Sequence, residues 1–321
     1  MKLVEIYKLA VQQGIENDPR GKEEVKKYLA RKQAIFNDLK EDEQADFDQE
    51  QLSNPYNDTR ILNGNEDCEI KRILAGIDIE MGELLLAEHL SNKGKKIDLV
   101  LAHHPEGKAL AGLNDVMHLQ EDLLYQLGVP INIAEDIMSS RINEVKRGLM
   151  PINHNKTVDG AKILGLPMMC VHTPADNLVT AFLTRLFEER QPDTVGDILK
   201  ILKEIPEYQE ATKINAGPMI FVGSKERRAG KIFVDMTGGT SGSEDAYEKL
   251  AQAGVGTLVG MHIGEKHRKE AEKAHLNVII AGHISSDSLG MNLLLDMLEK
   301  NEIEVICCAG LTRIKRESAL K

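Results

Sequence analysis

Two adjacent histidines, His103 and His104, close the apolar run Ile97-Asp98-Leu99-Val100-Leu101-Ala102, and Pro105 follows them. Neutral imidazole is the commonest protein metal ligand. Two further histidines share a pattern. Val171-His172-Thr173-Pro174-Ala175-Asp176-Asn177-Leu178 matches Gly282-His283-Ile284-Ser285-Ser286-Asp287-Ser288-Leu289. In each, an apolar run ends in His, three residues intervene, and an Asp precedes a leucine-rich helical stretch. Imidazoles with carboxylates make a mixed nitrogen and oxygen donor set for a divalent ion. Each Asp has a second explanation, since a carboxylate at a helix start caps it and suits its dipole. Each His has one too, as a hydrogen-bonded structural residue. The repetition of the unit favours the chemical explanation.

These residues need strand ends to hold them. Four apolar residues before His103, with no polar alternation, suit a strand covered on both faces. Pro105 cannot donate to a ladder and stops it. Open α/β sheets bind ligands at such C-terminal strand ends. Ile73–Asp78, the helix Glu80–Leu90 and the His-His strand form a β-α-β unit. A second copy runs through Ile232–Thr237, the helix Glu244–Gln252 and Thr257–His262, which puts His262 in the place of His104. Asp78 and Asp235 read as equivalent strand ends, each a helix cap or a cleft acid. If the halves pack about a pseudo-twofold axis, the His–Asp ends and the His-His tip converge on one cleft. Gly128–Ala134 reads as a further strand.

The remaining chain divides by pattern. Residues 1–70 read as a helical, acidic N-terminal extension. Residues 71–190 form the first α/β half, with an insertion near 116–164. Residues 191–217 connect to the second half, 218–321. The loop Thr237-Gly238-Gly239-Thr240-Ser241-Gly242 lies between a strand and a helix. Its backbone N–H groups suit a phosphate cradle, with Gly238, Gly239, Thr240 and Ser241 binding substrate. It has neither the Walker lysine nor the dinucleotide glycine pattern, and a flexible turn is the other reading.

Composition excludes several classes. A chain of 321 residues with 42% apolar residues can bury a large core. A net charge of −11 and the absence of Trp argue against a nucleic-acid surface or a stacking platform. The four cysteines show no Cys-x-x-Cys spacing, so a reducing, cytoplasmic setting is expected. The N-terminus lacks the apolar core of a secretory signal, and no apolar run suits a membrane span.

Taken in order, Asp78, Ala102-His103-His104-Pro105, His172…Asp176 and Gly282-His283…Asp287 resemble the NIF-three-like family, whose members are also known as type-two GTP cyclohydrolase homologues. The resemblance covers roughly residues 71–190 and 218–315. It implies an α/β fold of two interlocked, internally repeated halves with mixed sheets, here preceded by the helical extension. It also implies a dinuclear centre and a homo-oligomer, commonly a hexameric ring. Carried over by motif, the metal ligands are His103, His104, Asp176, His283 and Asp287, with His172 outside them or beside substrate. The sequence departs from the family in three places. Asp287 stands where Glu is usual, Glu106 follows the His-His-Pro tip, and the spacing from His104 to His172 is long.

The implied function is a metal-dependent hydrolase. It would use two divalent ions (zinc, manganese, iron or magnesium) and a water shared between them on a small, phosphorylated or nucleotide substrate. His172 and Glu106 are the candidate catalytic proton carriers. A metal-binding regulatory or scaffold protein is the alternative. A doubly wound nucleotide-binding domain with structural histidines is a third reading, and the repeated His–Asp unit argues against it. No nucleic-acid or membrane partner is expected.

Overall fold

The computed structural model describes residues 1–316; residues 317–321, at the end of the expected second half, lie outside the described residues. Among the described residues nine strands occur: β1 Arg60–Asn63, β2 Arg72–Gly76, β3 Leu99–Ala102, β4 Met168–Cys170, β5 Met219–Val222, β6 Lys231–Asp235, β7 Val255–Gly260, β8 Asn277–Ile280 and β9 Glu304–Cys308. They form two mixed sheets, ordered β1-β4-β3-β2-β9 and β5-β8-β7-β6.

The repeat is visible in this topology. In each half an antiparallel strand (β1 or β5) flanks three parallel strands, and each antiparallel ladder slips register at one residue, near Leu62 and near Phe221. The helices expected before residue 71 are present. Leu3–Glu16 buries Leu3, Ile6 and Ala10 in the main core. The same stretch also supplies β1, so the first repeat begins before residue 71. The halves interlock because β9, after the last helix, returns to pair with β2 of the first sheet.

Alternation along the strands sets the layers. Ile73, Ala75, Leu99, Leu101 and Met169 point to the main core, whereas Leu74, Val100, Ala102, Met168 and Cys170 point to the opposite face. The helices Met81–Asn92 and Lys156–Leu164 cover that outer face through Leu84, Ala87 and Ala161. In the second sheet Val234, Val259 and Ile279 point inward. Two central helices, Thr173–Arg190 and His283–Glu299, pack on each other in this main core.

Two features differ from the sequence reading. Gly128–Ala134 is not a strand: Pro130 caps the helix Ile131–Leu149, which buries Ala134, Met138 and Ile142 at four-residue spacing. A short apolar run looks alike in either state, and the longer helical period decides it. The insertion also leaves its own half. His118–Leu127 and Ile131–Leu149 pack against Tyr247, Leu250 and Val278 of the second half. No helix among the described residues is long and apolar enough to cross a membrane.

Candidate metal centre

The His-His tip continues the β3 ladder past its last strand residue. His103 N–H donates to Gly76 O at 2.9 Å, and His104 N–H to Ile77 O at 3.0 Å. His103 keeps the inward phase of Leu99 and Leu101, so its ring faces the central helices and is fully buried. His104 ends the opposite phase and lies at the rim, partly exposed.

Each central helix begins at the His of its unit. His172 is the N-cap of the first and His283 the first residue of the second. Asp176 and Asp287 therefore lie a full turn inside, four residues after their histidines, and neither is a cap. Strand register also moves the repeat alignment by one residue. Cys170 pairs with Ala102 as Ile280 pairs with Gly260. His172 thus corresponds to Gly282, Thr173 to His283, and Asn177, not Asp176, to Asp287. One residue is about 100° of helix rotation, so the two carboxylates approach the tip from different sides. The same register sets Asp78 against Thr237, and Asp235 against Gly76.

The side chains nevertheless converge. His103 Nε2 lies 3.5 Å from both Asp176 Oδ1 and Asp287 Oδ1. The other oxygen of Asp287 lies 3.5 Å from His104 Nε2 and 3.6 Å from His283 Nε2. His172 Nε2 is 3.8 Å from Asp176 Oδ2. Nitrogen and oxygen ligands about 2.1 Å from one tetrahedral ion stand about 3.4 Å apart. The cluster therefore has ligand spacing, too long for good hydrogen bonds. Two of the candidate groups, His103–Asp176–Asp287 and His104–His283–Asp287, share Asp287, and a third joins His103, His104 and His172.

Second partners fix which nitrogen faces inward. His103 Nδ1 is 3.0 Å from Val171 O, and a carbonyl can only accept, so this nitrogen carries the proton. His104 Nδ1 lies 2.6 Å from Asp78 Oδ1, and His172 Nδ1 lies 2.8 Å from Asp58 Oδ2. All three therefore turn an Nε2 lone pair to the cluster when neutral, with the outer N–H on a carbonyl or carboxylate, as metal-bound histidines do. His103 Nε2, Asp176 Oδ1 and both Asp287 oxygens are buried without a hydrogen-bond partner. Orphaned buried polar atoms are costly, and divalent metal binding would satisfy all four. The residues fit the ion.

Electrostatics divide the donors into those ready for a metal, His103 and Asp287, and those that must first lose a proton, Asp176 and His172. Burial lowers the His103 imidazole to about 4, and so keeps its lone pair free. Burial pushes the Asp176 carboxyl up to about 8. Burial opposes ionisation of Asp287, but His103 and His104 outweigh it and hold this carboxyl well below the usual carboxylate range. Burial would lower His172, but Asp176 and Asp58 outweigh it and raise it to about 9. The His172 proton, present at neutral pH, must leave before Nε2 can bind a metal. Zinc affinity is therefore expected to rise as pH goes from about 6.5 to about 9. Calorimetry across that range checks this, and a flat profile would refute it.

The structure brings together His103, His104, His172, Asp176, His283 and Asp287. His172 lies inside the cluster, closer than its expected outer position. Glu106 is not brought in: it is the N-cap of a short helix, beside Thr157, Glu80 and Lys156, and belongs to no cluster of metal-ligating side chains among the described residues. Of the glycine-rich loop, Gly239, Thr240 and Ser241 line a cavity that runs to the cluster, whereas Gly238 does not. Gln120 Nε2 donates to the carbonyls of Gly238 and Thr240, each at 2.7 Å. The following helix starts only at Ala246, so the loop is a tethered wall and does not open directly into a helix N-terminus. Sequence reasoning missed Asp58, in the stretch set outside the repeat, and left Asp78 undecided. The Asp58→Ala change is expected to weaken zinc binding about 10–100-fold, with Asp58→Asn, which keeps an acceptor, recovering most of it. Equal losses in the two variants would refute a positioning role.

Fold and geometry can now be set beside known proteins. A NIF3 superfamily protein from Sphaerobacter thermophilus superposes with a TM-score of 0.70 and 28% identity, over 79% of this chain and 92% of that one. The chain is NIF3-like. Reduced HcgD from Methanocaldococcus jannaschii is similar at a TM-score of 0.51 and 16% identity, over 84% of this chain and 97% of that one, and shows the fold alone. No family model matches, and no curated protein matches. The NIF3-like fold thus carries His/Asp clusters compatible with metal binding.

Proposed function

We propose that this NIF3-like chain binds two divalent metal ions and acts as a hydrolase on a small, phosphorylated or nucleotide substrate. The observation that carries the reading is the division of Asp287. One oxygen belongs with His103 and Asp176, the other with His104 and His283. His172 adds a nitrogen beside Asp176. Divalent ions in such a site supply Lewis acidity and an acidified water.

The chain's own residues would do the rest. Asp58, Asp78 and Val171 O hold the three imidazoles in orientation. The cavity beside the cluster admits a small molecule, and its rim includes His262 and His283, whose N–H groups suit an oxyanion. His262 stands outside the ligand groups, 5.0 Å ring to ring from His283, and is free to carry a proton. The walls Gly239, Thr240 and Ser241 would orient the substrate. An adjoining cavity favours an enzyme over the scaffold alternative, which has no need of one.

The test loads the protein with zinc, manganese or iron and screens phosphate esters and nucleotides. Turnover that disappears in Asp287→Asn is the expected result. Metal uptake without turnover, together with assembly that depends on metal, would favour the scaffold. Light scattering on the loaded protein tests the hexameric ring that the family resemblance implies.

A further inference from the structure

The cavity holds one acid that the metal centre does not use. Asp235 ends β6 and lines the cavity with Phe233, Tyr247, Leu250, Leu258 and Met261. It is half-buried and belongs to no metal-ligand group among the described residues. Burial alone acts on its carboxyl, pushing it up to about 6, with no hydrogen bond or cation contributing. Tyr247 lines the same cavity; burial first and the Asp235 charge second push its phenol up, with no hydrogen bond contributing. The Tyr247 ring is braced edge-on by His267, 5.8 Å away, and His267 Nε2 is tied to Gly242 O at 3.0 Å.

A carboxylate on an apolar wall discriminates sharply. An anion is repelled. An apolar group leaves the carboxylate unpaired, which costs about 1–3 kcal/mol. A divalent ion needs several oxygen ligands, and Asp235 belongs to no cluster of metal-ligating side chains among the described residues. A ligand with N–H donors satisfies the site, and two parallel N–H groups match both carboxylate oxygens. Aromatic and aliphatic walls suit a flat ring.

We infer that Asp235 and Tyr247 form a recognition subsite for a flat ligand with an N–H donor edge, of amidine or amino-heterocycle type, in the cavity that the metal cluster also lines. The ligand's orientation, with its opposite end toward Asp287, rests on the metal reading above. Its pairing with Asp235 does not.

The probes are benzamidine and benzyl alcohol, equal in ring but not in N–H donors, titrated calorimetrically into zinc-loaded and chelator-treated full-length protein. Benzamidine should bind at least about tenfold more tightly than benzyl alcohol in both preparations. Asp235→Asn should remove that preference and leave zinc stoichiometry unchanged. Equal binding of the two probes by the unaltered protein would overturn the subsite, whether or not the variant folds. A preference that survives in folded Asp235→Asn would overturn it as well. Failure to take up zinc with the benzamidine preference intact would instead overturn the metal reading alone.

Discussion

On the proposed two-metal reading, the Asp287→Asn protein is expected to lose zinc at both proposed positions, with affinity falling by at least about 100-fold. Removing even an outer partner of a metal ligand costs about 10–100-fold, and Asp287 is an inner member of two groups at once. Its side chain is fully buried, and both oxygens lack a hydrogen-bond partner, so no surface carboxylate can substitute. The amide keeps the shape but offers one oxygen where two are needed. Its nitrogen would face the imidazoles as a donor toward lone pairs already aimed inward. The readout is the stabilisation on adding metal, which for the unaltered protein reaches about 2.7 kcal/mol per occupied site at 100 times Kd. This stabilisation should vanish in the variant, with circular dichroism confirming that it folds. A variant that binds one zinc at unchanged affinity would show that Asp287 serves only one position.

The second large effect lies between the halves. Gly290 sits in the second central helix, three residues after Asp287, and a Cβ there would meet the Ala175 carbonyl oxygen at 2.3 Å. Ala175 directly precedes Asp176. Within a helix, Gly→Ala normally stabilises by about 0.5–1 kcal/mol. At Gly290 the added carbon strikes backbone that cannot rotate away, and overpacking of this kind costs about 1–3 kcal/mol. Gly290→Ala should therefore lower stability by about 2 kcal/mol in urea titration. It should also weaken zinc binding, because the contact it forces apart separates Asp176 from Asp287. Gly148→Ala, with nothing within 4 Å of the new carbon, is the control and should be neutral or stabilising. If both substitutions stabilise, close approach of the central helices does not hold the centre together.

How far the sequence reaches depends on whether a feature is local. The His-His tip is legible because an apolar run and Pro105 mark a strand end. His283 and Asp287 are legible because a four-residue spacing brings them to one face of a helix. The equivalence of Asp176 with Asp287 is not, since strand register moves by one residue while the residue types still match by eye. Asp58 escapes notice because it precedes β1, a four-residue strand whose pairing with β4 crosses more than a hundred residues of chain. β9 joins the first sheet for the same kind of reason: parallel pairing leaves no local trace of its partner. The helix Ile131–Leu149 is misread at its start, where Val129-Pro130-Ile131 offers strand-forming residues and the helical period shows only further on.

The account stands on two ions sharing Asp287, and anomalous X-ray diffraction from zinc-loaded crystals tests this most directly. Two anomalous peaks about 3.5–4 Å apart are predicted, one against His103 and Asp176, the other against His104 and His283. A single peak, no peak, or two peaks with Asp287 bound to neither would contradict it.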